Sequence, residues 1–382
     1  MHPRLKVAID RWVGAGLLDE AAAARIRDFE LREAPQQGMR WPAILALAFG
    51  GILLGAGVLL FVSAHWDELS PAGRFTLVLL MVALFHMGGA LMAPRFAALA
   101  TVLHAVGTTA LGAGIFLSGQ IFNLQEHWPG GVMLWAIGAA AGWWLLRDWT
   151  QAALLALLAP AWLIGEWEVA AEWMQGSWSL LCQGMTLLAL TYLSARMPER
   201  EAPGRRALAW IGGLALLPVA IMTCLNDDWA RSQPHLRSGL RIASWCVGIL
   251  APLALAWLLR GRAAWMNGVA AIWVVALAAL ARNVGHYNEP KQPGVELGLY
   301  AWAALGAIGL VMWGLHESRR ERINLGVAGF ALTVAFFYFS SVIDKLGRSA
   351  SLISLGALFI LGGWGLERAR RRLIARLERS AS

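Results

Sequence analysis

Charged side chains are scarce in this sequence. They account for 15% of its 382 residues, whereas a soluble domain has roughly 25%. Hydrophobic residues make up 58% of the chain, and the mean hydropathy is +0.56. This composition excludes water as the main solvent of the fold. It predicts an all-α integral membrane protein, because a helix satisfies its own backbone hydrogen bonds in lipid.

Enzyme motifs and cysteine clusters are also absent. The three cysteines show no CxxC spacing, and the chain contains no HExxH, GxSxG or P-loop pattern. We therefore expect no enzymatic activity, no metal site and no cofactor. The first forty residues lack the basic, apolar and small-residue regions of a removable signal peptide, so the first membrane helix should direct insertion.

Apolar runs of about membrane length recur along the chain, and they predict twelve transmembrane helices. Charged residues or Pro/Gly turns separate them. The fourth and fifth runs are divided only by the sequence RDWT, residues 147–150, where two charges would be costly within the bilayer. The predicted spans are 43–64, 75–93, 98–118, 131–146, 151–165, 178–194, 207–225, 240–259, 264–281, 298–316, 323–342 and 350–366.

The distribution of Lys and Arg predicts that both termini are cytoplasmic. With that orientation, 24 of the 32 basic residues lie on the cytoplasmic side, where positively charged loops are retained. The net charge of +8 does not indicate nucleic-acid binding, since the basic residues lie between apolar runs rather than on one soluble face.

Two short cytoplasmic segments flank the membrane domain, which spans 41–366. Residues 1–40 have the pattern of a helical hairpin, with a break at Gly14 to Gly16 and Asp19 placed to cap the second helix. Residues 367–382 are rich in arginine and are expected to anchor at lipid headgroups. Regulation by anionic lipid is the alternative for this tail.

Several segments resemble the DUF2157 family of bacterial membrane proteins, a domain of unknown function. They are SAHWDELSPAGR (63–74), RWVGAGLLDEAAAARI (11–26), LGAGIFLSGQIFNLQEHWPGGVMLWAIG (111–138) and the C-terminal stretch 324–372. The resemblance implies a multi-pass protein of the bacterial inner membrane. It implies no activity and no catalytic residues.

His86 and His104 are the first candidate functional positions. A tight turn joins the second and third spans, so antiparallel packing should bring the two imidazoles to the same depth. A facing pair could share a proton, bind a metal or relay protons. Alternatively, they are two separate neutral histidines bonded to backbone or threonine groups.

Polar residues near the predicted outer surface form the second candidate group. His65, Asp67 and Glu68 could form a cation or proton site, or simply belong to a connection in which Ser70 and Pro71 start the next helix. Gln120 and Asn123 lie within an apolar stretch, where amides need bonding partners.

Three classes of function remain for this sequence, and an intramembrane enzyme is disfavoured because its motifs are missing. A transporter or channel for a small solute or ion agrees with twelve spans, although the substrate cannot be read from the residues. The alternative is a membrane scaffold or envelope sensor that recruits partners through its N-terminal hairpin. The bilayer is the expected environment, and a homo-oligomer or a cytoplasmic protein partner agrees with either class.

Overall fold

The computed structural model describes residues 9, 11–32, 46, 49–50, 53, 57, 60, 64, 70–122, 127–170, 178–197, 202–225, 238–282, 293–342, 356–357, 360, 364, 368 and 371. Its regular structure within these ranges is helical, which confirms the prediction of an all-α fold. The chain divides into two compact units, Met1–Ala110 and Leu111–Ser382.

The N-terminal part of the first unit begins with a helical turn. Residues 11–14 are helical, the chain turns at Gly16 with a φ of 68°, and helix α1 spans Glu20–Arg32. The Asp19 carboxylate accepts a hydrogen bond from the backbone N–H of Ala22, as predicted for a cap. The extent of the predicted hairpin, 1–40, includes residues outside the described ranges.

Helices α2 (Pro71–Met92) and α3 (Ala97–Phe122) follow as an antiparallel hairpin. The predicted start of α2 is confirmed, because the Ser70 hydroxyl accepts a hydrogen bond from the Gly73 N–H at 3.2 Å and Pro71 occupies the first turn. The turn closes through a bond from the Phe96 N–H to the Met92 carbonyl at 2.8 Å. This short connection keeps equivalent positions of the two helices side by side.

The second unit contains the following helices. They are α4 (Trp128–Leu146), α5 (Trp149–Ala170), α6 (Trp178–Leu193), α7 (Pro203–Leu225), α8 (Ser238–Trp245), α9 (Ala251–Arg260), α10 (Trp265–Arg282), α11 (Pro293–His316) and α12 (Arg320–Phe337). A π-helical segment, Cys246–Leu250, joins α8 to α9, and a 3₁₀ turn, Gly261–Ala264, joins α9 to α10.

The predicted break between the fourth and fifth spans is confirmed. Arg147 ends α4 with a φ of 54°, and α5 begins at Trp149. Both helices are longer than the predicted spans. The fourth span was predicted to begin at residue 131, whereas α4 begins at Trp128 with Pro129 in its first turn, where the missing N–H has no cost.

Helix α6 is the most enclosed helix of the second unit and packs against α7, α9 and α10. It contributes to an apolar core together with α7, α10 and α11. It also carries buried polar side chains, including Gln183, Thr186 and Thr191. The Thr186 and Thr223 hydroxyls lie 3.0 Å apart across the α6–α7 contact, at hydrogen-bond distance. The core residues are Ala189, Leu190, Leu193, Leu216, Val274, Leu310 and Trp313.

Eight helices of the described part are long and apolar enough to cross a membrane. One of them, Ile242–Leu280, has 39 residues and contains both the eighth and ninth predicted spans. Gly261 interrupts it with a φ of 58°, at the boundary that the sequence predicted. The shorter apolar helix Leu180–Leu193 corresponds to the sixth span. The first and twelfth predicted spans lie largely outside the described residues.

Candidate functional site

The two histidines of the α2–α3 hairpin are in direct contact. His86 Nδ1 lies 3.1 Å from His104 Nδ1, and the ring centroids are 5.4 Å apart. The His104 residue is buried, at 7% exposure, and His86 is partly buried. The predicted proximity is therefore confirmed, whereas a functional role for the pair stays a prediction. One nitrogen must donate and the other accept, so the two rings adopt opposite tautomers when both are neutral.

Each imidazole lies against a glycine of the opposite helix. A Cβ atom placed on Gly107 would come within 2.9 Å of the His86 ring, and one on Gly89 within 2.8 Å of the His104 ring. Any larger residue at these two positions would displace the rings. The contact is thus built reciprocally by both helices, on the edge of an apolar cluster that includes Phe85 and Ala110.

The candidate residues near the predicted outer surface do not gather into a described site. Gln120 is exposed at the end of α3. His65, Asp67, Glu68 and Asn123 lie outside the described residues. Among the residues that the structure describes, no group of three or more His, Cys, Asp or Glu side chains could hold a metal ion.

The second unit contains a buried charge cluster that sequence reasoning did not identify. Glu317 follows α11 and accepts hydrogen bonds from the guanidinium of Arg260, at the end of α9, and from Nη1 of Arg322, in α12, the latter at 2.6 Å. Arg260 and Arg322 are almost fully buried, at 4% and 1% exposure. The cluster therefore joins three helix ends across the interior.

Trp313 forms the apolar side of this cluster. Its indole N–H donates to Glu317 Oε1 at 2.6 Å. The guanidinium carbons of Arg260 and Arg322 lie 5.1 and 4.9 Å from the centroid of the Trp313 ring, within the range of a cation–π interaction. One aromatic side chain thus contacts all three charged groups.

A tight turn between α11 and α12 positions Glu317. The Arg319 N–H bonds to the Gly314 carbonyl at 2.7 Å and the Ser318 N–H to the Leu315 carbonyl at 3.2 Å, the pattern of a Schellman motif. Ser318 has a φ of 54°, a conformation more often adopted by glycine. This turn directs the Glu317 carboxylate back toward Arg322, five residues further along the chain.

The surrounding charges determine the state of Glu317. Burial alone would raise the pKa of this carboxyl, but the charge of Arg322 and the hydrogen bonds from Arg260, Arg322 and Trp313 hold it below its usual value. Glu317 is therefore ionised at neutral pH. Two guanidinium groups and one carboxylate leave this trio with one uncompensated positive charge, and the Nε atoms of Arg260 and Arg322 have no hydrogen-bond partner among the described residues.

Further arginines connect the same helix ends. Arg205 Nη1 donates to the carbonyls of Ala195 and Leu259 at 2.9 and 2.8 Å. Arg196 pairs with Glu321. The loops that follow α6, α9 and α11 therefore meet on one face of the second unit. All three were predicted to lie on the same side of the membrane.

An apolar groove lies next to this face, with a cavity volume of about 640 Å³. Its walls come from α6, α7, α10, α11 and α12. Trp313 lines the groove and also contacts the charge cluster, so its indole ring lies between the groove and the buried arginines, which are not among the lining residues. Its lining is almost entirely apolar and includes Leu216, Met266, Trp273, Leu310 and Phe336, whereas Tyr300, His316 and Thr333 are its polar members.

Comparison with known proteins supports the resemblance seen in the sequence. Residues 10–152 match the family model described as a predicted membrane protein, DUF2157. The match includes the α2–α3 histidine hairpin and ends within α5, so it does not reach the charge cluster or the groove. No curated protein and no solved structure matches the chain significantly.

Proposed function

We propose that this membrane protein is a non-enzymatic carrier for an anionic amphiphile with a lipid-like apolar part. It crosses the bacterial inner membrane twelve times, with both termini in the cytoplasm. The loops that meet at the charge cluster would then lie at the cytoplasmic surface, since these three connections and the helix ends that flank them together carry nine arginines.

The observation that carries this proposal is that Trp313 both lines the apolar groove and contacts the buried charge cluster. A volume of about 640 Å³ lies within the range of roughly 300–1,000 Å³ typical of small-molecule sites. The apolar walls suit an acyl chain, and they offer a hydrated ion almost no groups to replace its water. The uncompensated charge of the Arg260–Glu317–Arg322 trio favours an anionic head at the end of the groove. Arg262 and Arg320, each two residues from a cluster arginine in the sequence, are exposed.

A groove-blocking variant tests binding. Gly309 lines the groove, and a Cβ atom there would meet nothing within 4 Å, so Gly309→Phe should fill the groove without disturbing the helix. Gly298, on the same helix and equally open, is absent from the lining and provides the control Gly298→Phe. Native mass spectrometry in detergent would measure retention of anionic and zwitterionic phospholipids with identical acyl chains.

We expect preferential retention of the anionic lipid by the native protein and by Gly298→Phe, and at least tenfold weaker retention by Gly309→Phe. Equal retention of both lipids by all three proteins would contradict the binding site. A groove that is filled by another segment of the chain and does not admit added lipid would also contradict the binding site.

Movement of the ligand distinguishes a carrier from a scaffold. Vesicles containing the protein and a head-labelled fluorescent anionic lipid should show faster loss of inner-leaflet fluorescence to an impermeant quencher than protein-free vesicles. Gly309→Phe should abolish the increase. Binding without movement would contradict the carrier function and favour the scaffold.

The second candidate, a scaffold or sensor, has one specific observation in its favour. Leu17 and Phe29, near or within α1, are 76% and 61% exposed, and Trp12 is also exposed. Large apolar side chains on a segment predicted to be cytoplasmic are typical of an interaction surface. Substitution of Leu17 and Phe29 by Ser should abolish cellular function without changing lipid binding if this candidate is correct.

A further inference from the structure

The His86–His104 contact carries an inference that is independent of the proposed carrier activity. We infer that the two imidazoles form a binding site for one proton, taken up from the cytoplasmic end of the α2–α3 hairpin. The ligand is the proton itself. The evidence is the geometry of the pair, its depth in the hairpin and the chemistry of two facing Nδ1 atoms.

The Nδ1–Nδ1 distance fits a shared proton better than a shared metal ion. At 3.1 Å the two nitrogens are at hydrogen-bond separation. The ring centroids are 5.4 Å apart, so the two Nδ1 atoms point at each other along one line. A metal on that line, about 2 Å from each nitrogen, would need a nitrogen–nitrogen separation near 4 Å. The described residues also provide no third His, Cys, Asp or Glu ligand.

The proton balance of the pair is simple. In the neutral pair, one ring donates its Nδ1–H to the Nδ1 lone pair of the other, whose own proton is on Nε2. An incoming proton binds Nε2 of the donor ring, the nitrogen that carries no hydrogen in this tautomer. The product is one imidazolium and one neutral imidazole joined by a charge-assisted N–H···N bond, in which either ring can carry the charge.

The pair accepts one proton far more readily than two. After a second proton binds, both Nδ1 atoms carry hydrogen and face each other as donors, so the hydrogen bond is lost and two positive charges repel. Uptake should therefore occur in two steps separated by more than about one pH unit. If a proton crossed from one ring to the other and then left, both tautomers would be reversed. Conduction of a second proton in the same direction would then require both imidazole rings to flip. The pair is suited to holding a proton.

The other charges on the hairpin lie at its two ends. The hairpin carries two other charged residues, Arg74 in the first turn of α2 and Arg95 in the connecting turn. Arg74 is twelve residues from His86, about 18 Å along the helix. The described positions of the preceding predicted span are Ala, Phe, Gly and Leu and cannot titrate. Each histidine lies about 10 Å from the turn, so protons enter from that end.

The test uses the full-length protein in lipid nanodiscs with ¹⁵N-labelled histidine. The chain has eight histidines, and His86→Gln and His104→Gln assign the signals. We expect a nitrogen–nitrogen correlation across the hydrogen bond in the native protein. The signals of both rings should change together in a first protonation step that is well separated from the second.

Two glycine variants control for general packing effects. Gly89→Ala should displace the His104 ring and abolish the correlation, whereas Gly88→Ala, whose Cβ meets only Leu103 at 3.6 Å, should keep it. Over the pH range of the first protonation step, the thermal midpoint of the native protein should depend on pH differently from that of His86→Gln. Independent titration of the two rings would overturn the proposal, and so would a stoichiometric metal in the purified protein or identical behaviour of the two glycine variants.

Discussion

Glu317 connects three helix ends through a single carboxylate. It accepts hydrogen bonds from Arg260, Arg322 and Trp313, and its side chain is 13% exposed. Removal of one partner from a buried ion pair leaves an uncompensated charge in a poorly solvated site. The stability of the second unit should therefore depend on this residue more than on any single exposed ion pair.

Substitution Glu317→Gln should destabilise the protein strongly, by about 3–5 kcal/mol, because both buried guanidiniums lose their counter-charge. The matched control is Glu321→Gln, four residues after Glu317. This substitution removes the ion-pair partner of Arg196, and the Glu321 side chain is 46% exposed. Exposed pairs contribute about 0–1 kcal/mol. Unfolding in mixed detergent micelles measures both variants, and an equal loss of stability in the two would contradict a buried cluster.

The protonation of Glu317 adds a pH dependence. Its pKa is lower in the folded protein than in the unfolded chain, so the unfolded state binds a proton more readily as the pH falls. The contribution to stability is complete above the unfolded pKa of about 4.3 and is lost as the pH falls through the folded value. The thermal midpoint should thus drop more steeply in acid for the native protein than for Glu317→Gln.

At the scale of elements, α6 and α7 pack at a glycine. A Cβ atom on Gly212 would lie 2.4 Å from the Ala189 carbonyl oxygen and from the Leu193 backbone nitrogen. Backbone atoms cannot move aside as a side chain can. The close approach of these two helices therefore requires glycine at this position.

Gly212→Ala should force the helices apart and destabilise the protein by about 1–3 kcal/mol. The neighbouring Gly213 provides the control, since a Cβ there meets Leu325 and Leu193 side-chain atoms at 3.6 and 3.7 Å, ordinary contact distances. Gly213→Ala should be nearly neutral. The free energy of unfolding of both variants checks the prediction, and similar values for the two would argue against the close α6–α7 approach.

Local signals predicted several helix boundaries correctly. Ser70 with Pro71 identified the start of α2, and the charged pair at Arg147 and Asp148 identified the end of α4. These features succeed because caps and charges act within one helical turn. The length of α4 was underestimated because Pro129 has the same appearance in a turn and in the first turn of a helix. The length of α5 was underestimated because the predicted span stopped before Glu166, whereas the helix continues to Ala170.

For the whole molecule, the distribution of arginine leads to a topology prediction. The native cysteines, Cys182, Cys224 and Cys246, would first be replaced by Ser or Ala. A single cysteine at Ala202, in the loop before α7, should then react only with reagent supplied from the cytoplasm. One at Gly130, near the start of α4, should react only from outside. Both positions are placed by the structure near helix starts.

Labelling of intact cells with an impermeant maleimide, before and after permeabilisation, provides the measurement. Labelling of both cysteines in intact cells would contradict the alternating topology. Protection of Gly130→Cys until the cells are permeabilised would reverse the orientation of the chain. In either case the groove and the charge cluster would no longer be assigned to the cytoplasmic side.

The sequence by itself determined the class of the protein, most helix positions and the contact between His86 and His104. Composition selects the membrane as solvent, and a hairpin with a short turn fixes which residues face each other. Tertiary structure decided the rest. Arg260 and Glu317 are 57 positions apart and belong to loops that appear solvated in the sequence. Their burial against Trp313, and the groove beside them, arise because three helix ends converge, and no local pattern records that convergence.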